Sequence, residues 1–132
     1  MHTYPVNSPM ASARVMGLTL LADGHVGNRE WALARAWAQE SALSPQQWDA
    51  LLQQLCESVW DTPQPVWPWR PEPWVEAVIG EIQDPHLQAL LLTRCEHLAW
   101  CDGWLSETES AWLQRLASHW PQQQALRTQF HA

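Results

Sequence analysis

Two stretches of this chain carry the same punctuation at the same spacing, and they restrict the fold more than any other feature. Asp23-Gly24-His25-Val26-Gly27-Asn28-Arg29-Glu30 and Asp102-Gly103-Trp104-Leu105-Ser106-Glu107-Thr108-Glu109 each open on Asp-Gly. Each sets an apolar residue two positions after the glycine and reaches a glutamate seven positions after the aspartate. The correspondence continues downstream, where Leu33, Ala34, Trp37 and Ala38 fall opposite Trp112, Leu113, Leu116 and Ala117. Glycine tolerates the left-handed backbone of a helix C-terminal cap, so each stretch reads as a corner between two helices. Two copies of one helical hairpin in a chain this short predict an internal duplication.

The rest of the chain reads as helices bounded by prolines and polar caps. Ser8-Pro9 is a start signal, with serine as N-cap and proline at the first position, where its missing N–H costs nothing. The first helix runs to about Ala22 through Val15, Met16, Leu18, Leu20 and Leu21, and the second from Asn28 to about Ser41. Ser44-Pro45-Gln46-Gln47 has the form of a capping box. It opens a third helix, to about Trp60, in which Trp48, Leu51, Leu52, Leu55, Cys56 and Val59 follow helical spacing. A fourth is expected over 72–82, with Val75, Val78, Ile79 and Ile82 inward. Asp84-Pro85 starts a fifth, to about Cys101, with Leu87, Leu90, Leu91, Cys95 and Leu98 as its buried stripe. After the second corner, Trp112, Leu113, Leu116, Ala117 and Trp120 mark a sixth, ended by Pro121, and residues 122–130 add a last short one. No segment alternates apolar and polar residues over a strand length. The prediction is an all-α, compact bundle of about six to seven helices.

At 132 residues the chain supports one core, read here as an N-terminal arm over 1–8 and a single domain over 9–132. The hydrophobic fraction of 46% against 16% charged excludes a disordered chain, and eleven tryptophans must fill much of the interior. The formal net charge of −7, with no lysine and no basic run, argues against nucleic acid as a partner, because phosphate binding needs clustered cations. Three cysteines, Cys56, Cys95 and Cys101, sit on apolar helix faces and read as reduced thiols of a cytoplasmic protein. No apolar run approaches the roughly 20 residues of a membrane helix, and no signal-peptide pattern opens the chain.

The corners support two readings from the same atoms. In the first they are caps: Ser106 and Glu109 form a capping box, Glu107 and Glu109 face the positive end of the helix dipole, and Asp102 accepts backbone N–H groups at the turn. In the second, chain reversal brings Asp23 near Glu30 and Asp102 near Glu109, a pair of carboxylates at each corner. Hard cations such as Ca²⁺ take about six to eight oxygen ligands, so waters, carbonyls or the other corner must complete the shell. The corner lacks the D-x-D-x-D run and the length of an EF-hand loop.

Ala22-Asp23-Gly24-x-Val26-x-x-x-Glu30 and Cys101-Asp102-Gly103-x-Leu105-Ser106-x-x-Glu109 resemble the corners of the TerB-like proteins of the tellurite-resistance group. That domain also occurs in the N-terminal part of membrane-anchored DnaJ-like co-chaperones. The resemblance covers about residues 9–120. It implies a compact bundle of about seven helices with a pseudo-twofold relation between halves, and a role in bacterial stress or tellurite resistance. It also implies an acidic surface for a divalent cation (Ca or Mg), with Asp23, Glu30, Asp102 and Glu109 matching the family pattern. Cys101 stands where the family has alanine, and His25 and Trp104 are bulky in the two turns.

Residues 61–73 hold five prolines together with Trp67 and Trp69, which excludes regular helix and predicts an extended, polyproline-like strap between the hairpins. With Trp74 this cluster is a candidate surface for a protein partner, since tryptophan brings large contact area at low entropic cost, or else it packs as a strap on the bundle. His97 and Cys101, four apart, present two soft ligands without the further pair that structural zinc requires. His25 beside Asp23 reads as a turn histidine, and His119 and His131 carry no pattern. No nucleophile motif, phosphate loop or H-E-x-x-H is present. The sequence therefore points to a non-catalytic binding domain. It uses either the acidic corners for a cation, or the strap or acidic face for a metal-free adaptor role.

Overall fold

The computed structural model describes residues 4–22, 28–59, 73–100 and 106–120. These form six α-helices and, among the described residues, no strand: α1 (Pro9–Leu21), α2 (Asn28–Glu40), α3 (Pro45–Val59), α4 (Pro73–Gly80), α5 (Pro85–Ala99) and α6 (Glu107–His119). The chain is all-α, as expected. The helices start where the caps stand in the sequence. Ser8 Oγ accepts from Ala11 N at 3.2 Å, and an Asp84 carboxylate oxygen accepts from His86 N at 3.0 Å. At α3, Ser44 Oγ accepts from Gln47 N at 3.1 Å while Gln47 Oε1 accepts from Ser44 N at 2.8 Å, completing the expected box.

The bundle is built around α1. Every residue from Ala11 to Leu21 is buried, and α1 packs against each of the other five helices. A helix apolar nearly all round has no solvent face to lose, so central burial is its favourable position. Its approach to α3 is close at Gly17, where an added Cβ would lie 2.7 Å from Leu55 Cδ1 and 3.2 Å from Leu52 Cδ2. Around it, α2 packs on α1 as α6 packs on α5, and contacts also join α1 to α6 and α2 to α5.

Two buried polar residues of α1, Thr19 and Arg14, are tied to neighbouring elements. Thr19 Oγ1 donates to Val15 O at 3.0 Å and accepts from Trp112 Nε1 at 2.9 Å, joining α1 to α6. Arg14, fully buried, pairs with Glu81 just beyond α4, and its guanidinium stacks 4.6 Å from the Tyr4 ring centre. The described part of the N-terminal arm is consequently fastened to the residues just beyond α4. Tyr4 N donates to Glu81 Oε2 at 2.8 Å, Asn7 N donates to Glu81 O at 2.7 Å, and Asn7 Oδ1 accepts from Gln83 N and Asp84 N at 2.7 and 2.9 Å.

Two expectations for the helices change. The fourth helix ends at Gly80 rather than 82, yet Ile82 remains buried beyond it. On α5 the buried stripe is Leu91, Leu92, Cys95, Leu98 and Ala99, and Leu90 is 45% exposed. Successive residues on a helix point about 100° apart, so three adjacent leucines cannot all face inward. The face of Leu90 continues through Arg94 and His97, whereas that of Leu91 and Leu92 continues through Cys95 and Leu98. Cys56 and Cys95 are free thiols, and burial pushes the Cys95 thiol up to about 12, partly opposed by its side-chain hydrogen bond with Thr19. Asp23, Asp102, Cys101, residues 61–72 with Trp67 and Trp69, and residues 121–132 lie outside the described residues.

Candidate functional site

The second corner delivers its chain into α6 through a complete capping box. Ser106 Oγ accepts from Glu109 N at 3.1 Å, and Glu109 Oε1 accepts from Ser106 N at 3.1 Å. The box satisfies two of the amides that the first turn of any helix leaves unpaired, and the carboxylates of Glu107 and Glu109 lie at the positive end of the α6 dipole. Glu109 is only 7% exposed. Glu30 holds the same third position of α2, half-buried. Both helices begin five residues after the aspartate of their corner, and both run for thirteen residues.

The two glutamates are therefore equivalent in helix position, and the aspartates that would complete each carboxylate pair lie outside the described residues. Carboxylate oxygens are the donors a hard cation takes. At the second corner Glu109 Oε1 already receives the Ser106 amide, so a cation there shares the carboxylate with the cap. Among the described residues no group of three or more His, Cys, Asp or Glu side chains is placed to hold a metal. Of the tryptophan cluster, Trp74 falls in the first turn of α4, half-buried against the core. Part of its surface is thus committed to packing.

A further polar cluster joins α4 to α6, and sequence spacing did not reveal it. Glu76 accepts from Arg115 Nη2 at 2.5 Å and from the side of His119 Nε2, while His119 Nδ1 lies 2.9 Å from Arg115 O. The Arg115 hydrogen bond, with a smaller contribution from His119, holds the Glu76 carboxyl below the usual carboxylate range despite partial desolvation. The cluster flanks a shallow cleft of about 290 Å³ lined by apolar Ile79, Ile82 and Trp120 and by polar Gln83, Gln88 and His119. The amide nitrogens of Gln83 and Gln88 donate to Gly80 O and Ile82 O at 3.3 and 3.0 Å. With both imidazole nitrogens of His119 engaged by α4 and α6, the cluster's chemistry is that of a clamp between helices. The legible signal was Arg115 four residues before His119 on one helix face; the partner on α4 leaves no mark in local spacing.

Among the described residues the fold is an all-α bundle around one buried helix, with acidic residues in the first turns of α2 and α6. Compared with known proteins, the chain matches no family model, no curated protein and no solved structure.

Proposed function

We propose that this chain is a non-catalytic, TerB-like bacterial domain that acts in the cytoplasm by binding, in stress or tellurite resistance. In this reading Asp23, Glu30, Asp102 and Glu109 furnish the oxygen ligands for a divalent cation, Ca²⁺ or Mg²⁺. The observation that carries it is the equivalence of Glu30 and Glu109, each at the third position of a thirteen-residue helix that follows an Asp-Gly corner. The reciprocal contacts of α1 with α6 and of α2 with α5 support a pseudo-twofold arrangement of the two hairpins.

The test is thermal unfolding of metal-stripped protein, alone and with millimolar Ca²⁺ or Mg²⁺. A ligand selective for the native state stabilises it by about 2.7 kcal/mol at one hundred times its Kd. A saturable rise in Tm that disappears in the Asp23→Asn/Asp102→Asn variant supports the cation reading. No shift with any divalent ion sinks it.

The capping box favours a second reading, a metal-free adaptor in which Glu30 and Glu109 serve only as helix caps. A protein partner then docks on the acidic face or on Trp67, Trp69 and Trp74. Here Trp67→Ala with Trp69→Ala leaves Tm nearly unchanged, and a large fall in Tm would instead make the tryptophans packing residues.

A further inference from the structure

We infer that His119 makes the clamp between α4 and α6 proton-operated: the imidazolium closes it, and loss of one proton frees the outer turn of α6. Nδ1 of the ring faces Arg115 O at 2.9 Å, and Nε2 faces a carboxylate oxygen of Glu76. A backbone carbonyl has no proton to give, and the Glu76 carboxyl, held low by Arg115, is ionised at neutral pH. Both ring nitrogens must therefore donate, and only the imidazolium carries two N–H groups. The neutral ring has one. It sets lone pair against lone pair at one of the two contacts, and its attraction to the Glu76 charge is gone in either tautomer.

The surroundings favour the charged ring. Glu76 is the one charged residue of α4, and it turns toward α6. His119 ends α6, where the negative end of the helix dipole favours a cation. Arg115, one turn earlier, is the opposing charge, and it is matched by its own bond to the other Glu76 oxygen. Gln83, before α5, and Gln88, on it, line the cleft beside His119, and both are uncharged. Asp84 accepts from the His86 amide, and Arg94 and His97 face Trp37 on α2. Glu96 stands two turns beyond Gln88, about 12 Å along the axis of α5. From α1 comes Arg14 alone, committed to Glu81.

Arg115 and His119 then have different parts. Both bond Glu76, one turn apart on α6. The Arg115 bond is indifferent to pH near neutrality, because a guanidinium keeps its proton, and it acts as the pivot. His119 is the releasable bond outside it. The segment it controls is 116–120, whose Trp120 is 2% exposed and walls the cleft with Ile79 and Ile82. The clamp is closed within a window of pH, bounded below by protonation of Glu76 and above by deprotonation of His119.

Amide hydrogen exchange of the full chain, followed by NMR at about pH 5.5 and about pH 8.5, brackets the range in which histidine changes charge. Protection factors, which remove the intrinsic pH dependence of exchange, should fall about two- to fivefold over residues 117–120 at the higher pH, the size a part-exposed ion pair supports. Protection at Trp112 should stay level. In the same samples the His119 ring should show two N–H groups at the lower pH and one at the higher. His119→Gln, which keeps a polar side chain on an exposed position, should abolish the pH response. Equal protection of 117–120 at the two pH values overturns the inference. So does a response that survives His119→Gln, or a ring with a single N–H while the last turn is at its full protection.

Discussion

Thr19 shows how much one buried hydroxyl carries. It lies inside α1, gives its proton to Val15 O, and receives the indole N–H of Trp112 from α6, while also meeting the Cys95 thiol on α5. Thr19→Val preserves the shape and removes the acceptor, which strands a buried indole donor. The expected loss is about 1–3 kcal/mol by urea denaturation, against a much smaller loss in Thr19→Ser, which retains the oxygen. Equal losses in the two variants would mean that the methyl, not the hydroxyl, matters. None of this was legible in advance. Threonine in an apolar helix has no local spacing that names a partner 93 residues away, just as nothing near Arg14 points to Glu81.

At the scale of elements, the caps were the most legible part of the chain, because a cap is a short-range contract between residues three apart. Ser44 with Gln47, and Ser106 with Glu109, form the boxes their spacing predicts. Their likeness supplies a way to separate the two roles of Glu109. A glutamine at this position performs the same cap on α3, so Glu109→Gln should hold stability to within about 1 kcal/mol, the difference being its charge at the helix dipole. The same substitution should abolish any cation-induced rise in Tm if Glu109 is a ligand, and leave it intact if Glu109 is a cap alone. The link between α4 and α6 makes a pH prediction with a definite sign. The carboxyl of Glu76 is lowered in the folded state, chiefly by Arg115, so its contribution is present above the ordinary carboxylate range and is lost as pH falls through the lowered value. Tm of Glu76→Gln should therefore lie below that of the native chain at neutral pH and converge on it in acid. The gap should be modest, because the Glu76 side chain is 39% exposed and solvent screens it. A gap that widened in acid would reverse the assigned sign.

For the whole molecule, the architecture follows from one helix being buried on every side. Composition and periodicity gave away the six helices of the described residues and most inward faces, yet not which helix lies at the centre, since Leu18, Leu20 and Leu21 satisfy a stripe and a full circumference equally well. The α5 face was misread for a related reason: with Leu90, Leu91 and Leu92 in succession, spacing alone leaves the orientation of the helix open, and neighbours on α1 and α6 decide it. Central burial also leaves α1 no room for growth. Gly17→Ala gains about 1 kcal/mol of helix propensity, but its methyl would meet Leu55 at 2.7 Å and Leu52 at 3.2 Å. Both leucines are themselves fully packed, so their ends cannot swing away freely. Overpacking of this kind costs about 1–3 kcal/mol, which outweighs the propensity gain. The expected outcome is a lower Tm for Gly17→Ala, with recovery when Leu55→Val removes the obstructing carbon from the facing helix. A stabilised Gly17→Ala protein would show that α1 and α3 can separate without loss, and that the close approach of these two helices does not hold the bundle.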